Sequence, residues 1–266
     1  DFEHEWADNA VANTTNGWVS LGTGDLSSIT NPAVGYDRLP DQLLFPLIYD
    51  HSAQKRVLSL NTQGAMLTTP VLDAGFATAK VHIDMMAKFS VSGEMPVAVS
   101  NDALAKASLF LYANGAETNL VVFHGQKTPD GFGAPAFTEV TSAIDPDAWF
   151  RLTITFDATT NNTGAEAFCV RINGKPVVSP VAYRDNWKTR LFTPSCEPDN
   201  GIWFLSAARR QGTSGASLNT ISNLCFVGTG FVDDLVVTPS SPTFTPGTVI
   251  MLALSTGRGG EAWMGF

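Results

Sequence analysis

Apolar and polar residues alternate along residues 81–89. Val81, Ile83, Met85, Ala87 and Phe89 fall on one side, and His82, Asp84, Met86 and Lys88 on the other. That period of two predicts a half-buried β-strand. Residues 149–156 repeat the pattern, with Leu152, Ile154 and Phe156 inward and Arg151, Thr153 and Thr155 outward. Phe168, Val170 and Ile172 continue it, and Asn173-Gly174 follows at once, before Lys175-Pro176-Val177-Val178. Asn and Gly both tolerate positive φ, so this dipeptide predicts a two-residue hairpin turn.

Further strands are predicted over residues 57–61, 66–69, 108–113, 119–124, 203–208, 224–227 and 231–238. Turn residues separate them: Asn114-Gly115, Pro129-Asp130-Gly131, Asp145-Pro146-Asp147 and Asn200-Gly201. A helix is plausible only over residues 101–107, where Asp102 would stand in the first turn. Many short strands with regular turns predict an all-β sandwich or barrel.

Composition narrows the class. Hydrophobic residues make up 44% of the 266-residue chain but charged residues only 15%, below the roughly 25% usual in soluble domains. The surface must therefore be built from Thr, Ser, Asn, Gly and Ala, a profile expected of a secreted or cell-surface β-protein. A start at Asp1 rather than Met is what a processed product would show. The formal charge of −9 repels phosphate backbones, so no nucleic-acid partner is expected. The adjacent basic pairs, Lys55-Arg56 and Arg209-Arg210, read as solvated charges. No run of about 20 apolar residues predicts a membrane span.

Cys169, Cys196 and Cys225 are the three cysteines. They allow three different single disulfides, each leaving one thiol over. No C-x-x-C occurs, which argues against a zinc or redox site.

Four segments, in order, resemble LamG-like, concanavalin-type jelly-roll domains of secreted bacterial proteins. They are Asp1-Phe2-Glu3, the pair of segments 57–62 and 66–70, Trp149-Phe150-Arg151-Leu152-Thr153-Ile154, and the closing Gly230-Phe231-Val232-Asp233-Asp234-Leu235-Val236-Val237. The resemblance covers residues 1–238 and implies a two-sheet antiparallel jelly-roll sandwich. It says little about function, because this fold hosts lectins, hydrolases, lyases and adhesion modules. It also implies one structural Ca²⁺ where first and last strands meet, with Glu3, Asp233 and Asp234 as carboxylate donors. As consecutive strand residues, Asp233 and Asp234 are expected to point to opposite faces. The alternative for the inner one is that it caps loop amides or pairs with an Arg.

Catalytic chemistry finds little support. The E-x-D-x-x-E strand of the family's hydrolases is absent, as are the Arg-rich, Gln-x-His and Tyr-rich strands of its lyases. No G-x-S-x-G accompanies the four histidines, His4, His51, His82 and His124. We expect no enzyme activity, with a glycan-active hydrolase or lyase as a remote alternative. A carbohydrate-binding module is the nearer alternative. Its best platform is Trp187, flanked by Asp185 and Asn186, although a packed loop anchor explains the same residues. Asn13-Thr14-Thr15 and Asn161-Asn162-Thr163 are sequons in loop contexts.

The C-terminal end departs from the family pattern. Residues 239–247, rich in Pro, Ser and Thr, read as a linker. Residues 248–266 follow as an apolar segment in which Val249, Ile250, Met251, Leu252 and Leu254 carry the strand-forming character. Such a segment must pack on its own domain or add to a neighbour's sheet. The sequence therefore predicts a self-assembling extracellular structural or adhesive protein, joined into a homopolymer by this extra strand.

Overall fold

The computed structural model describes residues 16–30, 57–62, 65–70, 80–91, 107–114, 117–128, 131–140, 144–145, 148–157, 167–177, 204–207, 223–238, 251–253 and 263–265. Among them every regular element is a β-strand and every strand pair is antiparallel. The strands are β1 (Val19–Leu21), β2 (Ser28–Thr30), β3 (Val57–Asn61), β4 (Met66–Thr68), β5 (Lys80–Phe89), β6 (Ser108–Asn114), β7 (Glu117–Thr128) and β8 (Gly131–Val140). They continue as β9 (Phe150–Asp157), β10 (Ala167–Ile172), β11 (Lys175–Pro176), β12 (Phe204–Leu205), β13 (Cys225–Phe226), β14 (Thr229–Thr238), β15 (Met251–Ala253) and β16 (Trp263–Gly265).

A large sheet runs β2-β3-β14-β5-β9-β10-β12-β7-β6, with β8 added to β7 and β11 to β10. Its centre follows the alternation of the sequence. Val81, Ile83 and Met85 stand opposite Phe156, Ile154 and Leu152, and those residues of β9 continue into Phe168, Val170 and Ile172 of β10. All of them are buried. Phe168 stacks on Phe204, 5.5 Å between centroids, and meets the tilted ring of Phe156 at 5.3 Å. The same core takes in Leu111, Leu120, Val122 and Val140 of β6–β8, Leu67 and Phe226 of a separate three-stranded sheet, β1-β4-β13, and Trp18 just before β1. Strands from different sheets thus close on one hydrophobic core, a sandwich-like arrangement.

The Asn173-Gly174 turn forms as expected. Both residues have positive φ, 49° and 75°, the type I′ signature. Asn173 also holds the neighbouring strand: its Oδ1 accepts the Arg151 N–H at 2.8 Å, and its own N–H donates to the Arg151 carbonyl at 2.8 Å. Gly230, in the closing strand, has φ +149°, and a Cβ there would collide with the Lys88 carbonyl oxygen. Glycine therefore lets β14 approach β5 closely.

Three features depart from the sequence reading. Strands β1, β2, β8 and β16 were not expected. Strand β5 also buries part of its other face, since His82 and Met86 are buried while Asp84 and Lys88 are half-buried. Strict alternation also fails in β14. Asp233 pairs with Met86 and Val236 with Asp84, so β14 holds one residue more than β5 over that interval. This β-bulge places Asp234 at φ 50°, a left-handed conformation that Asp tolerates better than most residues. The two aspartates are therefore not simple opposite-facing neighbours.

At the C-terminal end, β15 pairs with β16, Met251 opposite Gly265 and Ala253 opposite Trp263. They form a two-stranded sheet of their own, joined to neither of the other sheets. The possible helix over residues 101–107 lies, apart from Ala107, outside the described residues.

Candidate functional site

Two surfaces carry chemistry beyond the core. The first is the back of the large sheet, opposite the core. Cross-strand register lines up His82 with Thr155, Asp84 with Thr153 and Met86 with Arg151. On the next strand it adds Cys169 beside Thr155 and Arg171 beside Thr153. Arg151 Nε donates to both oxygens of Asp84 at 2.9 and 3.0 Å, and Nη2 donates to Oδ2 at 2.5 Å. The Thr153 hydroxyl donates to Oδ1 at 2.6 Å. His82 Nδ1 shares a hydrogen bond with the Thr155 hydroxyl at 2.9 Å.

Asp84, Arg151, Thr153, His82 and Thr155 are tolerated on this face because they hydrogen-bond one another. Asp84 keeps 19% of its side-chain surface exposed and Arg151 8%. On the adjacent strand Asp233, only 1% exposed, accepts the Asp234 N–H on Oδ1 at 2.8 Å. Asp84 and Asp233 thus share a face, and each is engaged in a local hydrogen bond. Glycoside hydrolysis needs one carboxyl free to protonate the leaving group and another free to attack or to activate water. Asp84 bonds across to Arg151 and Thr153 of β9, whereas the Asp233 bond stays within its own strand.

His124 lies on the other, core side of the sheet, with Phe204. Its Nδ1 lies 2.6 Å from the Gly125 carbonyl, which makes that nitrogen the donor. Nε2 then accepts from the Thr138 hydroxyl at 2.8 Å. The ring packs on Phe204, 5.1 Å between centroids. Burial lowers its pKa to about 4, only partly opposed by the Gly125 carbonyl. A neutral, doubly bonded imidazole is a structural residue at neutral pH.

The second surface is the outward side of the small sheet. Its inner residues, Leu67 and Phe226, enter the core, and Trp18 stacks on Phe226 at 6.1 Å. Register puts Val19, Thr68 and Cys225 in one row and Leu21 and Met66 in the next. By strand alternation, Val227 faces outward with Cys225. Val19 is 47% exposed, Leu21 52% and Val227 65%. Thr68, the hydroxyl-bearing residue in these rows, donates to the Val19 carbonyl at 2.8 Å. No charged side chain stands in these rows. The loop after β1 is pinned by Asp25, whose carboxylate accepts from the Ser20 hydroxyl and, at 2.9 Å, from the Ser27 N–H.

The cysteines divide between these surfaces. Cys169 is disulfide-bonded and buried on the back of the large sheet. Cys225 is a free, exposed cysteine on the small sheet. Partial desolvation pushes its thiol above the ordinary value.

Of the residues singled out from sequence, Asp233 and Asp234 sit in the β14 bulge, and Met251 and Leu252 in β15. Glu3, Asp185, Asn186, Trp187, Val249, Ile250 and Leu254 lie outside the described residues. The calcium set is therefore not assembled on the described residues, among which no three His, Cys, Asp or Glu side chains group to hold a metal ion. Asp84 and the exposed Val19, Leu21 and Val227 were missed. For Asp84 the signal was present, since Arg151 and Thr153 occupy the outward positions of another alternating strand. Among the described residues, no helix is long and apolar enough to cross a membrane. Compared with known proteins, the chain matches no family model and no curated protein sequence.

Proposed function

We propose that this chain is a non-catalytic structural or adhesive protein of the extracellular space or cell surface, that it self-associates, and that its body is a LamG-like jelly roll. The observation that carries this reading is the uncharged, exposed outward side of the β1-β4-β13 sheet. An apolar patch on a chain of net charge −9 is where like-charged copies approach with least repulsion. The polar residues on the back of the large sheet point the same way, because they are engaged with one another rather than facing a substrate. The Cys169 disulfide supports export to an oxidising compartment.

The C-terminal hairpin enters this reading as a second contact that links copies by strand addition. Deleting residues 248–266 should abolish large assemblies, seen by negative-stain microscopy and light scattering, and leave a soluble sandwich. Unchanged assemblies after that deletion would remove the tail from the account. Repeating the measurement in EDTA tests a structural Ca²⁺ shared by Glu3 and Asp233. Loss of assembly or of thermal stability is expected if the ion is bound, and identical curves would discard it. Glycan binding that depends on Trp187 would replace this reading with a lectin-like one.

A further inference from the structure

Resting on the self-association reading, we infer that the open edge of β13 is the site where a second copy of this chain docks, sealed by a Cys225–Cys225 disulfide across a two-fold axis. Strand β13 pairs with β4 on one side, and no described strand pairs with its other side. The direction of its backbone groups follows from the hydrogen bonds to β4. The Leu224 carbonyl accepts the Thr69 N–H at 3.0 Å, and the Leu224 N–H donates to the Thr69 hydroxyl at 3.1 Å. Antiparallel pairing alternates, so the N–H and C=O of the next residue, Cys225, point away from β4 toward the open edge. An exposed strand edge of this kind is a template for another strand.

Two geometries could bring Cys225 to its copy, and their dimensions decide between them. Sheets packed face to face lie about 10 Å apart, beyond the roughly 4.4–6.8 Å between Cα atoms that a disulfide requires. Two β13 strands paired edge to edge, with Cys225 opposite Cys225, form a hydrogen-bonded antiparallel pair with Cα atoms about 5.5 Å apart, inside that range. A two-fold axis there is isologous, each Cys225 meeting itself. The result is a continuous six-stranded sheet, β1-β4-β13-β13-β4-β1, with Val227 of each copy beside the bond. Charge favours a second copy as occupant, because these rows carry none. Cysteine count favours it as well: with Cys169 already bonded, Cys225 is the free thiol, and a leftover thiol in an oxidising compartment pairs between chains.

The oxidant is a low-molecular-weight disulfide. The thiolate of one Cys225 attacks it, forming a mixed disulfide and releasing one small thiol, which takes up the proton. The Cys225 thiolate of the second copy then attacks the Cys225 sulfur and releases the second small thiol. Two protein thiols are oxidised and one small disulfide is reduced to two thiols.

The test is to treat the full-length chain with oxidised glutathione and to run non-reducing gels, intact mass and peptide mapping. A species of twice 28.4 kDa, linked Cys225 to Cys225 and reversed by dithiothreitol, is expected. Cys225→Ser should lose it, and Val227→Lys, which keeps the thiol but charges the edge, should lose most of it. Monomer carrying only a glutathione adduct on Cys225 would overturn the inference, as would a Val227→Lys chain that dimerises like the parent. Light scattering of the reduced chain separates the two ideas. A reduced chain that assembles yet forms no Cys225–Cys225 bond on oxidation leaves self-association standing and rejects this edge, whereas a monomer throughout rejects both.

Discussion

The large sheet and the small sheet are made by the same rule and end in opposite states. In both, alternate residues enter the shared core. On the large sheet most of the other side is also closed, with Met86, Arg151, Thr153, Thr155, Cys169 and Asp233 all buried, although Val236, opposite Asp84, is 42% exposed. Its polar groups are matched, Asp84 to Arg151 and Thr153, and His82 to Thr155. On the small sheet the other side is apolar, uncharged and open, with Leu21 and Val227 more than half exposed. Burial of polar groups on one sheet and exposure of apolar groups on the other invert the usual distribution. The first is resolved within the chain, by pairing. The second is what the proposed self-association would cover, which is why the small sheet rather than the large one carries the functional proposal.

That contrast can be broken most forcefully from within the closed region. Phe168→Ala should cost about 4 kcal/mol, because it empties a fully enclosed site between Phe156 and Phe204. Chemical denaturation reads this as a lowered midpoint. Arg151→Ala comes next. It strands the Asp84 carboxylate on a largely buried face, at a cost of about 3 kcal/mol. The double change Asp84→Leu with Arg151→Met should recover most of that loss, since the charge left behind is removed with its partner. A double variant no more stable than Arg151→Ala alone would mean that the pair does more than hold two strands.

His124 makes the same region sensitive to acid. Its folded pKa, about 4, lies below the ordinary 6.5. Above the unfolded value both states are neutral and the group contributes nothing. As pH falls from 6.5 toward 4 the unfolded chain takes up a proton that the folded chain refuses, and stability declines. The full difference is about 3 kcal/mol. Urea denaturation at a series of pH values should show that slope, and His124→Gln should flatten it.

The smallest effect on stability belongs to the open region. Val227→Lys should change it by no more than about 0.5 kcal/mol, as exposed substitutions do, while weakening association. If the same change unfolded the protein, the small sheet would be part of the closed core after all.

How much of this was legible in the sequence follows from the same physics. The period of two in residues 81–89 located β5, and Asn173-Gly174 located the β10–β11 turn, because each is a local property of the chain. Segments 57–61 and 231–238 were read correctly as strands for the same reason. Strands β1 and β2 are three residues each, too short for periodicity to register. Strand β8 opens Gly-Phe-Gly-Ala-Pro, composition that reads as a loop. Alternation made one side of β5 look solvent-facing, because a salt bridge completed by a partner some 67 residues away is invisible to a local pattern. The bulge at Asp233 escaped for a related reason: it is a property of register between β14 and β5. As for the site, the tail drew attention because it is apolar over a continuous run. The patch on the small sheet did not, since Leu21, Met66 and Val227 are brought together only by the fold.

The central claim is that the chain associates with itself. Sedimentation velocity of the 266-residue chain over a wide concentration range tests it most directly, in oxidising buffer without chelator. A mass that begins at or above twice 28.4 kDa and rises with concentration is the expected result. A single species of 28.4 kDa at every concentration would contradict it.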